Sequence, residues 1–531
     1  MADIQAAAQV VRRRISARWD AAETTDDNRK HWAMADGLSA DMAASPGVRR
    51  ILRNRSRYEV ANNSYARGIV NTLANDCVGS GPRLQLTGLP RGVARDVERK
   101  FSAWAKAADL AEKLRTLRAA RAQDGEGIAV LVNNERLRDR VRLDLKLIEA
   151  EQCASDMGLP PDPGAIDGIT FDAWGNPEFY DILRHHPGGR SFAAEPSVKI
   201  PAERVLHYFV PERPGQRRGI PELTAALPLF AQLRRWTLSC IAAAETAADF
   251  AAIMRTTGSV DPEEAKTADE FERIEFERRA ILTLPAGWDV TQMKAEQPTS
   301  TYGEFKREIL NEIARCLSMP FNVAAGNSSG YNYSSGRLDW QIYGRAIEVD
   351  RSRMESQVLE DVFAAWRHEA VLIEGYLPQQ LRTMSADWSH AWQWDGFAHI
   401  DPEAEAKAQE INLKNGTTNL AELYGRKGQD WEEQIEITAR IGQRQRELAT
   451  QYGSGGTSGE VQAQAMNGIQ ITAMTEVLAQ VGTGAMAKPV AVSVLRIAFP
   501  SVDAAQIAAM VEAVEVRPVL PQSEQQPSSA A

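Results

Sequence analysis

Cysteine is scarce in this sequence. Only four occur among the 531 residues, at Cys77, Cys153, Cys240 and Cys316, and no two have the short spacing of a zinc-binding or redox pair. Such wide separation also argues against a disulfide framework, which is typical of short, cysteine-dense secreted chains. We therefore expect no structural zinc and no disulfide, and four buried thiols in a reducing compartment.

Long apolar runs are missing as well. Val10 and Val11 are followed at once by three arginines, so the N-terminal region lacks the apolar core of a secretory signal. The most apolar long stretch, residues 223–254, is interrupted by charges, which are costly at the centre of a bilayer. These charges are Arg234, Arg235, Glu245 and Asp249. The sequence therefore predicts a protein that is neither secreted nor embedded in a membrane.

Motifs of catalysis are absent or lack their structural context. No Gly-x-x-x-x-Gly-Lys-Ser/Thr loop occurs, so the chain has no P-loop with which to hydrolyse ATP. Residues Gly326 to Gly330 fit Gly-x-Ser-x-Gly with Ser328 at the nucleophile position. They follow a helical pattern and Pro320, however, whereas a nucleophile elbow follows a strand. We expect no enzyme, and a serine hydrolase that uses Ser328 is a remote alternative.

We also expect no metal and no cofactor. His185 and His186 are adjacent, but no ligand spacing accompanies them, and the Pro-Gly-Gly that follows favours a solvated turn. Asp124 and Glu126 could imitate a catalytic pair of carboxylates. Gly125 between them favours a turn from a helix to a strand instead.

The charge balance is acidic, with 71 Asp and Glu against 61 Lys and Arg and a formal net charge of -10. Tight binding of nucleic acid comes mostly from Lys and Arg that displace counterions, so this composition argues against a protein that clamps DNA tightly. A hydrophobic content of 44% supports folded cores. The length exceeds that of one simple core and predicts about two to four units.

Residues 46–220 have the pattern of an α+β unit. Helical periodicity comes first, at 46–78, 92–107 and 112–123. Strand patterns follow, at 128–132, 141–147, 168–171 and 179–183. The sequence Trp174-Gly175-Asn176-Pro177 between the last two strands predicts a hairpin turn.

The most informative stretch is 301–366, where two amphipathic helical patterns flank a polar loop. The first pattern repeats at Phe305, Ile309, Ile313 and Leu317 and stops before Pro320. The second begins near Arg337 and continues to Trp366, which predicts a helix about 45 Å long at about 1.5 Å per residue. The loop between them is rich in glycine, serine, asparagine and tyrosine, which favours mobile backbone with hydrogen-bonding side chains.

The C-terminal region has three further features. Tryptophans at 388, 392 and 394 have the alternating spacing of a strand with one packed face, which favours packing over base stacking. The stretch 452–459 has the composition of a flexible linker. Beyond it, 465–516 predicts two or three short helices, and 521–531 is too polar and proline-rich to expect order.

Short motifs occur in a fixed order along the chain. Residues 332–337 read Asn-Tyr-Ser-Ser-Gly-Arg, and they follow a helix end, 313–320, that reads Ile-Ala-Arg-Cys-Leu-Ser-Met-Pro. Further motifs are Trp-Gln-Trp-Asp at 392–395, Ile-Asp-Pro-Glu-Ala-Glu-Ala at 400–406, Asn-Gly-Thr-Thr at 415–418 and Gly-Gln-Asp at 428–430. In these motifs, and over roughly 58–441, the chain resembles the lambda-type portal proteins of tailed bacteriophages or prophages.

The resemblance implies an α+β, predominantly helical portal fold with wing, stem, clip and crown-like regions, assembling as a ring. In the family's order the regions are an N-terminal arm (1–45), the wing (46–220), a first stem helix (221–254), the clip (255–298), a second stem helix (299–319), a tunnel loop (320–336), a channel-bordering helix (337–368), a return to the wing and crown base (369–450), a linker (451–464), a C-terminal helical crown-like unit (465–518) and a disordered tail (519–531).

It also implies a function. A portal is a ring at one capsid vertex that conducts double-stranded DNA during packaging and ejection, joins head to tail and docks the terminase motor. The implied partners are about eleven further copies of the chain, double-stranded DNA, the terminase large subunit, head-tail connector proteins, and the major capsid protein and scaffold, with no membrane. The implied location is the virion, after assembly in the bacterial cytoplasm. The implied DNA-contacting residues are Asn327, Ser328, Ser329, Tyr331, Asn332, Tyr333, Ser334, Ser335 and Arg337.

Another class of function stays open beside the remote hydrolase. A capsid-associated scaffold or adaptor without a DNA channel would also be a helical assembly protein, but it would form an open or irregular oligomer. For Arg337, the sequence leaves two roles equally open. It could contact phosphate, or it could start the helix and pair with a carboxylate of a neighbouring subunit, because arginine suits both.

Overall fold

The computed structural model divides the chain into two compact units, 1–430 and 431–531. The residues that it describes are 22, 25–154, 165–189, 196–248, 252–256, 288–292, 299–382, 386–396, 402–426, 429, 431–452, 468–499 and 503–514. Within these residues, no helix is both long enough and apolar enough to cross a bilayer. All four cysteines are free thiols; Cys77 and Cys153 are buried, but Cys240 and Cys316 are only half-buried, contrary to the expectation for them.

The first unit is mainly helical, and its sheets are small. After one helical turn at Ala40–Ala43, its helices are α1 (Pro46–Asn62), α2 (Ser64–Val78), α3 (Arg91–Ala107), α4 (Leu110–Asp124), α5 (Leu227–Ala248), α6 (Thr299–Arg315), α7 (Phe321–Ala325), α8 (Tyr333–Met354), α9 (Glu360–Leu372), α10 (Pro402–Lys414) and α11 (Leu420–Arg426). A π-helical turn, Glu355–Leu359, joins α8 to α9. The predicted α+β, predominantly helical class is confirmed.

The strands pair antiparallel in four small sheets. The strands are β1 (Arg83–Leu86), β2 (Glu126–Asn133), β3 (Leu143–Ile148), β4 (Ala165–Ile166), β5 (Ile169–Phe171), β6 (Pro177–Ile182), β7 (Val198–Pro201), β8 (Val205–Phe209), β9 (Ala252–Thr256), β10 (Trp288–Gln292) and β11 (His390–Gln393). Their orders are β3-β2-β8, β4-β5-β6-β7, β1-β11 and β9-β10. The predicted strands and the hairpin turn before β6 are confirmed.

One core is built on aromatic side chains from distant parts of the chain. Phe101 of α3 lies 5.2 Å from Trp366 of α9 and 5.7 Å from Trp392 of β11 between ring centroids. Trp392 and Trp394 are buried, as the packing interpretation of the tryptophan motif requires. Such edge-on and tilted contacts are the favoured geometries of aromatic pairs. This core therefore fastens the 386–394 segment to the N-terminal helices.

A second core gathers α2, α5, α6 and α8. Ile309, Leu310 and Ile313 of α6 are buried against α2 and α5, and Tyr343 and Ile347 of α8 complete the cluster. Of the apolar positions that predicted the helix from 301 onward, Ile309, Ile313 and Leu317 thus face this core, whereas Phe305 is exposed and its ring lies 4.8 Å from that of Trp236. The helix ends at Arg315, and the turn after it includes Ser318 at φ 54°, before Pro320 begins the next segment.

Several boundaries differ from the sequence interpretation. The run at 46–78 is two helices, because Asn63 leaves the helical region and caps α2 with its side chain. The helix assigned to 221–254 begins only at Leu227, after a 3₁₀ turn. Of the predicted clip region, 255–298, the structure describes only 255–256, which end β9, and 288–292, which form β10. Of the predicted linker, 451–464, it describes only 451–452, the end of the helix Trp431–Tyr452. The predicted tail, 519–531, lies outside the described residues.

The second unit contains the predicted C-terminal helices. Its described helices are α12 (Trp431–Tyr452), α13 (Gly468–Gly482), α14 (Lys488–Ala498) and α15 (Ala504–Glu512). The last three close a small core around Val481, Leu495 and Val511. Two or three short helices were predicted here, and three are present. The unit begins at Trp431, whereas the sequence interpretation assigned 431–450 to the crown base.

Candidate functional site

The polar segment between α7 and α8 is shorter than the loop predicted at 320–336, and hydrogen-bonded turns form it. Gly326 ends α7 in the left-handed region at φ 61°, which glycine adopts without a steric penalty. The Asn327 side chain then accepts a hydrogen bond from the Ser329 amide at 2.9 Å, and the Tyr331 amide donates to the Ser328 carbonyl at 3.2 Å. Two consecutive turns therefore shape the segment 326–331.

The second half of the predicted loop is the start of a helix. Asn332 caps α8, because its Oδ1 accepts from the Ser335 amide at 2.9 Å while the Ser335 hydroxyl accepts from the Asn332 amide at 3.2 Å. This reciprocal pair is a capping box. The helix consequently begins at Tyr333, four residues before Arg337, so the loop assigned to 320–336 is limited to 326–332 between two helices.

The nine residues singled out by sequence lie in one short segment, mostly in contact with solvent. Asn327, Ser328, Ser329, Asn332, Ser334 and Arg337 are exposed, and Tyr331 and Ser335 are half-buried. Burial and the nearby Asp339 carboxylate raise the pKa of the Tyr331 phenol, so it is neutral at physiological pH. Of Tyr333 only the backbone is described. The segment presents hydroxyls, amides and one guanidinium.

The context of Ser328 does not match a nucleophile elbow. A helix, α7, precedes it, whereas the elbow requires a strand that leads into the serine. Within the described residues, no hydrogen bond reaches its hydroxyl. The sequence motif Gly326 to Gly330 is therefore two turns and a helix end in this chain.

A buried ion-pair network, which the sequence interpretation missed, includes Glu126 of β2 and His207 of β8. Glu126, whose side chain is inaccessible to solvent, accepts two hydrogen bonds from Arg218, at 2.8 and 2.6 Å. His207 lies 2.9 Å from the same carboxylate, and Arg53 lies 3.4 Å away. Gly125 makes the preceding turn at φ 96°, and a Cβ there would lie 2.4 Å from the Ile220 carbonyl carbon. The turn predicted around Gly125 is confirmed, but Glu126 belongs to this network.

The network continues along the inner face of α1. Arg57 forms a bidentate pair with Asp124, at 2.7 and 2.9 Å, and reaches Glu151 at 3.0 Å. Arg49 pairs with Asp167. Arginines 49, 53 and 57 recur every four residues, where a helix packed on a protein core normally carries apolar side chains. That spacing was the sequence signal for the network.

Two carboxylates of this network, Glu126 and Glu151, are held ionised. Burial alone would raise the pKa of Glu126, but Arg218 and the hydrogen bonds from His207 and Arg218 outweigh it and hold the pKa well below its usual range. Burial is likewise outweighed at Glu151 by Arg53 and Arg57, and the pKa of Glu151 is lowered. Both carboxylates are therefore ionised in the folded protein at neutral pH.

Stability is consequently expected to fall with acidification. These carboxylates have folded-state pKa values below the ordinary 4.5 of Glu, so their contribution is present above about pH 4.5 and is lost as pH falls further. Each proton taken up on unfolding makes the free energy of unfolding decrease by about 1.4 kcal/mol per pH unit. Urea unfolding followed by tryptophan fluorescence from about pH 7 to about pH 3 measures this slope. A flat profile below about pH 4.5 would contradict it.

A second buried cluster connects α8 to α4 and to the segment ahead of α5. Asp350 of α8 accepts from Arg118 and Arg121 of α4, each at 2.7 Å, and both arginines are nearly inaccessible to solvent. Glu222, ahead of α5, pairs with the same two arginines at 3.1 and 2.6 Å. Arg118 and Arg121 outweigh burial and lower the pKa of Asp350. The position of α8, and so of its N-terminal segment, is fixed by charge pairs with distant residues.

A cavity of about 440 Å³ borders this cluster. The end of α6, the outer side of α8 and the turn after α4 line it, with Ser318, Arg345 and Glu222 among the polar side chains. The buried arginines at its base are already paired with Glu222 and Asp350. The cavity therefore has no unpaired buried charge to bind a ligand.

Tertiary structure brings His186 to two carboxylates, which the sequence interpretation as a solvated turn did not anticipate. Its Nε2 lies 3.5 Å from Glu149 and 3.7 Å from Glu151. Its Nδ1 accepts a hydrogen bond from the Gly188 amide at 3.0 Å, so in neutral His186 the proton is on Nε2, the atom that faces the carboxylates. Arg57 also binds both carboxylates. The group is suited to a salt-bridged cluster and not to a metal ion.

The geometry is that of a polar segment between two packed helices that adjoin an α+β region. Comparison with known families gives a match for residues 26–351 to the family described as phage portal protein, lambda family. This match covers well over half of the 531 residues. The chain belongs to the lambda family of phage portal proteins. The recognition made from the sequence motifs is confirmed.

Solved structures to which the chain is similar include proteins of gene transfer agent particles and a phage portal protein. The chain is similar to a protein in the virion of a native gene transfer agent particle, at 15% identity over 71% of this chain and 95% of that one, with a TM-score of 0.38. It is also similar to a protein in the neck of a native gene transfer agent particle computed with C12 symmetry, at 16% identity over 71% and 91%, with a TM-score of 0.40.

A phage portal protein of the HK97 family from Corynebacterium diphtheriae is a further structural match, at 10% identity over 66% of this chain and 98% of that one, with a TM-score of 0.28. No curated protein sequence matches the chain at a significant level. Membership in the lambda family therefore rests on the family match over residues 26–351.

Proposed function

We propose that copies of this chain form a ring at one vertex of a phage or phage-like capsid, and that double-stranded DNA passes through the ring during packaging and ejection. The observation that carries the proposal is the portal-family match over 26–351, which includes both stem helices and the polar segment. The chain lacks a P-loop, so the energy for DNA movement comes from a separate motor.

The segment 326–337 is proposed to touch the passing duplex. It offers exposed hydroxyl and amide groups on Asn327, Ser328, Ser329, Asn332 and Ser334, together with the guanidinium of Arg337. Neutral hydrogen-bonding groups exchange readily with water, so many weak contacts of this kind allow sliding. One cation per subunit attracts phosphate without the strong counterion release of a clamp.

A row of acidic side chains on α6 supports the proposal that the channel wall beside these contacts repels the phosphates of DNA. Glu304, Glu308 and Glu312 recur every four residues on the exposed face of the helix, and none forms an ion pair within the described residues. Like charges four residues apart weaken a helix by about 0.2–0.5 kcal/mol per pair, so the row has a cost within the subunit. Facing a channel, the glutamates would keep phosphate from adhering to the stem.

The remaining partners follow from the portal role. We propose that the region at 255–298 docks the terminase large subunit and later the head-tail connector proteins, while the wing meets the major capsid protein and scaffold. Assembly takes place in the bacterial cytoplasm and the product resides in the virion. A scaffold or adaptor without a channel is the competing proposal, and it differs in the shape of the oligomer.

Electron microscopy of the purified full-length chain separates these proposals. A closed ring with a central channel at least about 20 Å wide, enough for a double helix, is the expected result. A stable closed oligomer without a channel, or an open irregular one, would reject the portal role.

Removing the polar contacts is expected to impair packaging. The triple variant Tyr331→Ala, Tyr333→Ala and Arg337→Ala should assemble rings but yield about tenfold fewer DNA-filled heads, because each subunit loses its phosphate attraction and two of the side chains proposed to contact the duplex backbone. The measurement is the nuclease-protected DNA per assembled head. The triple variant Tyr331→Phe, Tyr333→Phe and Arg337→Lys is the matched control and should retain most packaging. Unchanged packaging and retention in the alanine variant would reject the contact.

A further inference from the structure

The outer face of α8 carries a row of exposed apolar side chains. Leu338, Ile342 and Val349 are 62%, 57% and 51% exposed, although they are large aliphatic residues. With Arg345 between them, they are spaced four, three and four residues apart, which is the spacing of a helix seam that packs against another helix. The opposite face of α8, around Tyr343 and Ile347, already contacts the subunit's own core. Leu338 and Ile342 are therefore largely exposed, while Arg345 and Val349 also border the cavity of about 440 Å³ described above.

The outer face of α1 carries a matching row. Val48, Ile51 and Tyr58 are 40%, 50% and 56% exposed, and Arg55 completes a spacing of three, four and three residues. The inner face of α1 is occupied by the buried arginine network, so this row also points away from the subunit's interior. The guanidinium of Arg234 lies 5.2 Å from the centre of the Tyr58 ring, so Val48 and Ile51 are the exposed aliphatic side chains of this row. Exposed apolar side chains that are aligned on one helix face are typical of an interaction site.

The two rows are separate surfaces of one subunit. Helix α2 packs against both α1 and α8, and hydrogen bonds from Tyr343 to Asp76 and from Arg351 to the Cys77 carbonyl fix α8 to α2 at 2.8 and 2.9 Å. A ring with rotational symmetry requires two different patches per subunit, one for each neighbour. One exposed row on each of these helices meets that requirement.

The lengths of the two rows also agree. At about 1.5 Å per residue, the row from Leu338 to Val349 spans about 16 Å and the row from Val48 to Tyr58 about 15 Å. Each row contains one exposed arginine, Arg345 in the α8 row and Arg55 in the α1 row. Glu348, exposed and without an ion pair within the described residues, borders the α8 row and is the carboxylate there that could pair with an arginine of the neighbouring copy.

We infer that the α8 row of one copy packs on the α1 row of the next copy, and that this helix pair is a subunit interface of the ring. The inference rests on the proposed ring, which it deepens by naming the two contacting faces. The interface places α8, and with it the polar segment 326–332, directly on a neighbouring subunit. Neighbouring polar segments are then held at a fixed spacing around the ring.

Cross-linking between copies tests the pairing. The axes of packed helices lie about 8–10 Å apart, which a short bismaleimide spans between facing cysteines. A mixture of full-length Ile51→Cys and Ile342→Cys chains, distinguished by tags of different mass, should give covalent heterodimers well above the background of the wild-type chain, whose own four cysteines remain. A chain carrying both substitutions should give a ladder of multimers. The pair Trp174→Cys and Ile342→Cys is the control, since Trp174 lies on an exposed hairpin tip.

Assembly provides a second measurement. Ile342→Asp and Ile51→Asp change exposed residues, so each should leave the fold of the subunit intact by circular dichroism and lower the fraction of rings in light scattering at least about tenfold, because a carboxylate would face apolar side chains. Trp174→Asp should leave assembly unchanged.

The outcomes separate the pairing from the ring itself. Heterodimers in the cysteine mixture together with loss of rings in both aspartate variants support the inference. Normal rings in both aspartate variants with only background cross-linking overturn the pairing and leave the ring intact. If wild-type chains form no closed ring at any concentration, both the pairing and the proposed function fail.

Discussion

Glu126→Ala is expected to lower the free energy of unfolding by about 3–5 kcal/mol. The substitution leaves the side chain of Arg218, only 1% exposed, without its bidentate partner, and it also removes a carboxylate contact of Arg53 and His207. Breaking a buried pair from one side costs about this much, because a charge stays buried without compensation. Urea unfolding at neutral pH, followed by circular dichroism, measures the change.

The matched control is Glu178→Ala, which removes an exposed glutamate from β6. Surface substitutions of this kind usually change stability by no more than about 0.5 kcal/mol. If Glu126→Ala fails to yield folded protein, Glu126→Gln, which keeps the shape and two hydrogen-bonding groups, should give a measurable but smaller loss. A loss below about 1 kcal/mol for Glu126→Ala would show that the network does not determine the stability of the α+β region.

Trp366→Ala is expected to cost about 3–5 kcal/mol through the aromatic core. Trp366 is inaccessible to solvent and lies 5.2 Å from Phe101, 6.2 Å from Phe363 and 6.4 Å from Tyr376 between ring centroids. Removing it leaves a cavity and loses these contacts, and core aromatic-to-alanine changes fall in this range. Thermal or urea unfolding of the full-length chain measures the loss.

Two other substitutions make this result specific. Trp174→Ala removes the same side chain at a site that is 89% exposed and should change stability by less than about 0.5 kcal/mol. Trp366→Phe should be tolerated far better than Trp366→Ala, because within the described residues the indole N–H of Trp366 has no acceptor and its removal offsets part of the lost volume. Equal losses for the alanine variants at 174 and 366 would contradict the assignment of Trp366 to the core.

The buried charge cluster of Arg118 and Arg121 connects the stability of the α+β region to the position of the candidate site. Asp350 binds α8 to α4, and Glu222 binds the segment ahead of α5 to the same two arginines. A displacement of α8 would therefore break charge pairs with α4. The capped N-terminus of α8 carries the polar segment, so this segment is positioned by a rigid helix and not by its own few hydrogen bonds.

Much of the secondary structure could be predicted because its signals are local. The alternation at 141–147 and the turn residues at 174–177 depend on neighbours a few positions away, and both β3 and the hairpin are present. The extent of the polar loop could not be predicted as well. Serine and asparagine favour turns and also cap helices, and the pair Asn332 and Ser335 formed a capping box that moved the helix start to Tyr333.

The sequence by itself determined the helical and strand periodicities, the scarcity of cysteine, the acidic balance and the motif order that identifies a lambda-family portal protein. Tertiary structure alone decided which charges are buried, since Glu126 meets Arg218 across 92 positions and Asp350 meets Arg121 across 229. The reason is physical: periodicity is a property of neighbouring residues, whereas desolvation and ion pairing depend on which distant segments fold against each other. The same limit explains why the sequence predicted only a solvated turn at His186. Glu149 and Glu151 are distant from it in sequence and lie beside it only in the folded chain.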